Sequence, residues 1–249
     1  MRYPDIPLPL PASGFVLSQH LNDSDPLLAI GRFDASRYHD ELCGQWCLPL
    51  PPRLQKAVKK RRAEYLASRV LARQIMARLG HSGFILHNAA DRSPLWPTGI
   101  QASLSHSDSV VVVAATSRSL CVGVDVEQKM TAETAHETAG MLMCAAEKAY
   151  LHTLPLDFSL AATLLFSLKE SVYKALWPQL HQPMDFHQAE LIQMDLASQC
   201  ATLQLTHRFS ETFKEGCLLQ AEFLLQDKYV ITLVTHDGKN RLSGQAKPV

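Results

Sequence analysis

The sequence lacks a net charge: its 24 Lys and Arg residues are matched by 24 Asp and Glu residues. That balance disfavours a globally basic nucleic-acid binder, because such proteins neutralise phosphates with a surplus of cations. Long hydrophobic runs are also missing. The longest strongly apolar stretch, Val110 to Ala115, is far short of the roughly 20 residues that span a bilayer. No transmembrane segment is expected. Met-Arg-Tyr-Pro-Asp-Ile-Pro at the start has no apolar h-region, so no secretory signal is expected either. Cys-x-x-Cys pairs are absent, and the six cysteines (Cys43, Cys47, Cys121, Cys144, Cys200, Cys217) are scattered. A disulfide framework is therefore disfavoured and a reducing cytoplasm fits. Cys43 and Cys47 lack a second pair of zinc ligands. No short repeat is visible.

What is present is apolar matter: 47% of the 249 residues are hydrophobic, enough for one large domain or two small ones. The proline-rich start (Pro4, Pro7, Pro9, Pro11) predicts an extended segment without regular structure, followed by a short strand at Phe15-Val16-Leu17. Asn22 to Pro52 shows turn residues and weak periodicity. From Leu54 to Leu79 the pattern is helical, with Val58, Leu66, Val70 and Ile75 able to face a core and Gly80 as a stop. Its dense cations are consistent with a solvated face. The sharper alternative is an anion site in which Arg61 and Arg69, two turns apart, grip two phosphates.

Arg92 to Pro97 reads as a rigid loop, since each proline biases its predecessor towards extended geometry. Ala102 to Ser107 and Val110 to Ala115 read as strands, with His106 among serines at the end of the first. That imidazole is either an ordinary structural histidine or a phosphate contact. In Cys121 to Glu127, alternation sends Val122, Val124 and Val126 to one face and Gly123, Asp125 and Glu127 to the other. Two carboxylates at that spacing have Cα atoms about 6.5–7 Å apart and can converge on one hard cation. An ordinary solvent-facing strand is the plain alternative.

Residues 133 to 151 read as one helix packed through Leu142, Ala145, Ala149 and Tyr150, broken before Pro155. A further helix is expected from about 158 to 177, started by Asp157 or Ser159 and stopped by Pro178. Leu165, Leu168, Val172 and Leu176 make its apolar stripe, while Glu170 and Lys174 lie one turn apart on another face beside Ser167 and Ser171. Alone, that acid and base suggest a weak exposed salt bridge. Alternating stretches from Ala189 to Val234 predict an antiparallel sheet, with turns at Asp195–Gln199 and Gln226–Lys228 and a frayed polar tail from His236. A helix-bearing segment followed by strands occurs twice, divided near Ser119.

Gly123-Val-Asp-Val-Glu127, followed by Phe166-Ser-Leu-Lys-Glu-Ser-Val-Tyr-Lys174, resembles the paired signatures of the 4′-phosphopantetheinyl transferases. Residues 59–69, 92–97, 103–107, 158–171 and 230–237 resemble further motifs of the enterobactin synthetase component D type. The resemblance covers roughly 54 to 237 and lends nothing to residues 1–53 or 238–249. It implies an α+β pseudo-dimer of two similar halves, 1–119 with coenzyme A-binding basic residues and 120–249 with metal-binding acids, and a site in the cleft between them. It also implies Mg²⁺-dependent transfer of the phosphopantetheine arm of coenzyme A to a serine of an apo acyl, peptidyl or aryl carrier protein, releasing adenosine 3′,5′-bisphosphate. Nonribosomal peptide (siderophore), polyketide and fatty-acid carriers stay open.

By matching positions, the resemblance assigns Asp125, Glu127 and Glu170 to Mg²⁺ and Lys174 to the pyrophosphate. Arg61, Arg69, Arg92, Ser105 and His106 fall to the phosphates and nucleotide. Ser68 stands where the family often has glycine, and only slight adjustment is expected there. Glu170, directly or through a metal-bound water, is the expected base, and Lys174 the group facing the departing bisphosphate. A pseudo-dimer can act as a monomer. A Mg²⁺-dependent phosphohydrolase and a non-catalytic binding module are the competing classes.

Overall fold

The computed structural model describes residues 1–238. Its first part contains β1 (Ile6–Pro7), β2 (Val16–Leu21), β3 (Leu27–Phe33), α1 (Glu41–Gln45) and α2 (Lys59–Arg78), then β4 (His87–Asn88), β5 (Pro94–Leu95), β6 (Gln101–Ser107) and β7 (Val110–Thr116). The second contains β8 (Cys121–Gln128), α3 (Ala132–Leu142), α4 (Ala145–Leu151) and α5 (Phe158–Leu180), then β9 (Ala189–Asp195), β10 (Cys200–Leu205), β11 (Leu218–Leu225) and β12 (Tyr229–His236). Antiparallel pairing gives two five-stranded sheets, β1-β2-β3-β7-β6 and β8-β12-β11-β10-β9, besides a β4-β5 ribbon. No described helix is long and apolar enough to cross a membrane.

The period of two in the valine strands dictates the layering. On β7, Val111, Val113 and Ala115 turn to the core beneath α2, whereas Val110, Val112 and Ala114 turn the other way. There they meet Val122, Val124 and Val126 of β8, with Ile231 and Leu233 of β12. The opposite face of the second sheet lies under α5, whose Leu165, Leu168, Val172 and Leu176 are buried as the stripe requires. The result is a mixed α and β chain with two sheet-rich halves, layered helix, sheet, sheet, helix. Each fully buried aliphatic chain contributes about 1.5–3 kcal/mol.

Several expectations need correction. The proline-rich start contributes β1, where Ile6 and Pro7 pair with Leu21 and His20. The weakly periodic segment holds β3, a central strand. Its run Leu-Leu-Ala-Ile is buried on both faces and so shows no alternation. Val58 does not face the core: it precedes α2 and is 73% exposed. Part of the 92–97 loop pairs as the β4-β5 ribbon, and Arg92 takes a left-handed turn conformation with φ 75°. α5 runs through Pro178 to Leu180, because a proline in the last turn removes only its own donor and His181 N still bonds Trp177 O at 2.9 Å. Asp157 stands at its start without capping it and pairs with Lys129 at 3.1 Å. At the other end, His236 is buried in β12, and the tail beyond residue 238 lies outside the described residues.

The single helix expected over 133–151 is two, bent at Met143 and Cys144. Ala145 and Ala149 are exposed, and Glu147 faces inward instead. It receives Lys169 of α5 at 2.9 Å, the N–H of Cys144 at 2.9 Å and that of Leu191 at 2.8 Å. Lys169 also donates to Leu142 O at 2.9 Å. Hydrophobic periodicity cannot announce such a pair, since both partners read as surface residues.

Two outcomes follow. A Cβ on Gly123 would lie 1.9 Å from Ser171 O and 2.5 Å from Ala175 N, so Gly123→Ala must force α5 off β8. The expected loss is about 3 kcal/mol, the upper range for overpacking, read as a lower denaturation midpoint; an unchanged midpoint would refute the close approach. Glu147→Leu alone strands a buried ammonium and should cost about 3–5 kcal/mol, whereas Glu147→Leu with Lys169→Met should recover most of it. A double variant no more stable than the single would show that the pair is not an isolated unit.

Candidate active site

α5 is pinned to β8 by short hydroxyls around one carboxylate. Asp125 is 1% exposed and faces the helix. Its Oδ2 accepts from Ser167 at 2.8 Å, and its Oδ1 from Ser105 of β6 at 2.8 Å and from Lys174 at 2.5 Å. Lys174 also donates to Ser105 at 3.0 Å. The ammonium therefore pairs with the strand acid, and the simple Glu170–Lys174 salt bridge is not formed among the described residues.

Glu127 and Glu170 are half-buried beside this pair. Burial pushes the Glu127 carboxyl up to about 7, with Asp125 and Glu170 adding to the shift and Lys174 opposing it. Burial also raises Glu170, with Lys174 opposing and Asp125 reinforcing. Three carboxylates thus feel one another across the α5–β8 seam.

The basic residues meet elsewhere, around a cavity of about 820 Å³ bounded by α2, the β4-β5 ribbon, β6 and α5. Arg61, Arg69, Arg92, His106 and Lys174 all line it, so Lys174 stands between the cavity and the acids. Ser105 does not line it, having turned to Asp125. Arg69 is buried over the Tyr65 ring at 4.0 Å and donates to Asn88 at 2.5 Å and to Ser68 at 2.9 Å. Its Nε has no hydrogen-bond partner among the described residues, and burial brings the guanidinium down to about 10. The Ser68 hydroxyl donates to Tyr65 O at 2.8 Å and accepts from Arg69, so the serine props the arginine.

Sequence reasoning missed Tyr65, Asn88, Trp96, Tyr173 and Trp177, which also line the cavity. Tyr65 had a signal, standing four residues from both Arg61 and Arg69 on one helix face. Trp177 follows Lys174 by three on α5. Asn88 and Trp96 had none, since the ribbon places them.

All-oxygen, carboxylate donors suit a hard cation such as Mg²⁺, and the carboxylate repulsion that adds to the burial-driven rise of Glu127 and Glu170 is what such an ion would relieve. The donor chemistry fits. The side chains are not gathered into a ready cage: no three His, Cys, Asp or Glu among the described residues are close enough to hold a metal, and Lys174 is the cation on Asp125.

Glu127 supplies a test of these electrostatics. Its folded value of about 7 lies above the ordinary 4.5, so the folded state holds a proton that the unfolded chain has lost between those pH values. Stability from this group is complete below the ordinary value and lost as pH rises through 7. Glu127→Gln is therefore expected to be more stable than wild type at pH 8 by about 1–2 kcal/mol, allowing for partial solvent screening, and indistinguishable at pH 4. Equal stabilities at both pH values would contradict the raised carboxyl.

Comparison with known proteins accords with this geometry. Residues 51–116 match the 4′-phosphopantetheinyl transferase N-terminal domain and residues 121–234 the 4′-phosphopantetheinyl transferase superfamily. The chain is 36% identical to Enterobactin synthase component D of Salmonella typhimurium over 229 residues, covering 91% of this chain and 88% of that protein. It is 30% identical to the Escherichia coli protein of the same name over 197 residues, covering 78% and 88%. With the 4′-phosphopantetheinyl transferase Npt of Nocardia iowensis it shares 30% over 140 residues, covering 55% and 62%. This chain belongs to the 4′-phosphopantetheinyl transferase superfamily, enzymes that move the phosphopantetheine arm of coenzyme A onto carrier proteins.

Proposed function

We propose that the basic cavity takes the nucleotide of coenzyme A and that the α5–β8 acids carry out the transfer, with adenosine 3′,5′-bisphosphate as the second product. The observation that carries this reading is Lys174, which lines the cavity and bonds Asp125 at once. Arg61, Arg69, Arg92 and His106 bind the phosphates, and Ser105 acts by orienting Asp125 and Lys174. Asp125, Glu127 and Glu170 would hold Mg²⁺, which supplies charge neutralisation on the pyrophosphate.

Lys174 offers its ammonium to the departing bisphosphate, where negative charge grows as the bond breaks. Glu170 takes the proton of the attacking serine. Its raised affinity for protons suits that task, because a base must be ionised near neutral pH yet basic enough to accept.

The division at 119/120 follows the same reading, 1–119 supplying most of the nucleotide wall and 120–249 the acids. Both walls of the cavity come from one chain, which supports a monomer. The relatives named Enterobactin synthase component D favour a carrier domain of siderophore-type nonribosomal peptide synthesis, and the scattered thiols suit the cytoplasm.

Labelling of an apo carrier protein by fluorescent coenzyme A with Mg²⁺ should fall at least about 100-fold in Asp125→Ala and in Glu170→Ala, the scale of a lost acid–base or charge-stabilising group. Wild-type labelling by both would sink the assignment. Mass spectrometry of aryl, peptidyl and acyl carriers after reaction identifies the preferred acceptor.

A further inference from the structure

Glu64 plays no part in the reading above, although a carboxylate in an anion-binding wall demands an explanation. It lies on α2 and is 8% exposed. Its Oε2 is 3.3 Å from the Arg61 guanidinium and 3.6 Å from Nδ1 of His106. The same Arg61 nitrogen is 2.9 Å from Nε2 of His106. A guanidinium only donates, so Nε2 accepts and the ring proton sits on Nδ1, towards Glu64. The Arg61 N–H fixes the tautomer of a neutral histidine, and the Glu64 carboxylate lies 3.6 Å from the Nδ1 that carries the proton.

Burial, and then Arg61, Lys174 and Arg69, hold His106 below the ordinary histidine range, with Glu64 the opposing anion. The Lys60–Asp108 pair, at 3.3 Å, is exposed beyond the end of β6. A phosphate entering the cavity competes with Nε2 for the Arg61 N–H. Once that donor is drawn away, the lone pair on Nε2 faces an anion in a partly dry site, where protonation is favoured. An imidazolium among Arg61, Arg69 and Lys174 then needs the negative charge that Glu64 carries.

We propose that Glu64 is a positioning residue that makes His106 take up a proton when a coenzyme A phosphate binds. The proton comes from solvent and bonds to Nε2, which donates it to the phosphate, while Nδ1–H stays with Glu64. This rests on the assignment of Arg61 and His106 to the nucleotide site. Nucleotide affinity accordingly falls as pH rises between the free and the bound histidine values.

The test is calorimetric titration with adenosine 3′,5′-bisphosphate, without metal, in buffers of different ionisation enthalpy. Wild type, Glu64→Gln and His106→Asn are compared, so that the ionisation of the nucleotide cancels. Wild type should take up more protons than His106→Asn, and Glu64→Gln should fall to the level of His106→Asn. Wild-type uptake in Glu64→Gln, with His106→Asn still low, overturns the role of Glu64 and leaves the nucleotide site standing. Wild-type uptake and affinity in His106→Asn overturns the site assignment and the inference with it. Imidazole nitrogen chemical shifts of wild type provide a check that needs no folded Glu64 variant. His106, identified by loss of its signal in His106→Asn, should change from the Nδ1–H form to the doubly protonated form on binding. A ring that stays neutral ends the proposal.

Discussion

At Gly123 the backbones of β8 and α5 approach so closely that even a methyl group has no room, with Ser171 O at 1.9 Å from where a Cβ would stand. The rest of the site depends on that approach. Serine and threonine hydroxyls reach only a short distance, yet Ser167 and Ser171 both meet Thr232 of β12, at 2.9 and 2.7 Å. Thr232 is the cross-strand partner of Asp125. A longer helix–sheet separation would require long flexible polar chains in their place, with more rotamer freedom to lose and a less certain position for the acid.

The helix serves two electrostatic environments from adjacent residues. Lys169 is sealed with Glu147 in the dry interior, while Glu170, about 100° round the helix, lies half-buried beside Asp125 and Glu127. The interior pair also ties the bend between α3 and α4 and the strand β9 to the same helix. α5 is thereby held on two sides by polar contacts and on a third by its aliphatic stripe.

How much of this was legible in the sequence depends on the kind of signal. The valine alternation in β8 put Gly123 and Asp125 on the face opposite Val122, Val124 and Val126, as the layering requires. The aliphatic spacing of α5 named its buried face. Motif order pointed to the family, where no single pair of charges did. β3 escaped because a strand covered on both faces loses its period, and the bend at Cys144 because a buried ion pair imitates surface composition. The family resemblance places Ser105 among the nucleotide contacts, whereas its hydroxyl is bound to Asp125 on a strand of the other sheet. Glu64 had no local signature, since its meaning comes from a histidine on another element.

The layer between the two sheets has a mechanical consequence. It is built almost wholly of valine, alanine, leucine and isoleucine, with the Ser103 hydroxyl on Val124 N, at 3.1 Å, as a polar tie between β6 and β8. Dispersion forces set a spacing but little direction, so the thickness of these side chains acts as a shim between the sheet that carries His106 and the sheet that carries Asp125. The separation of the arginine-lined cavity from the buried acid is then governed by methyl groups that line neither.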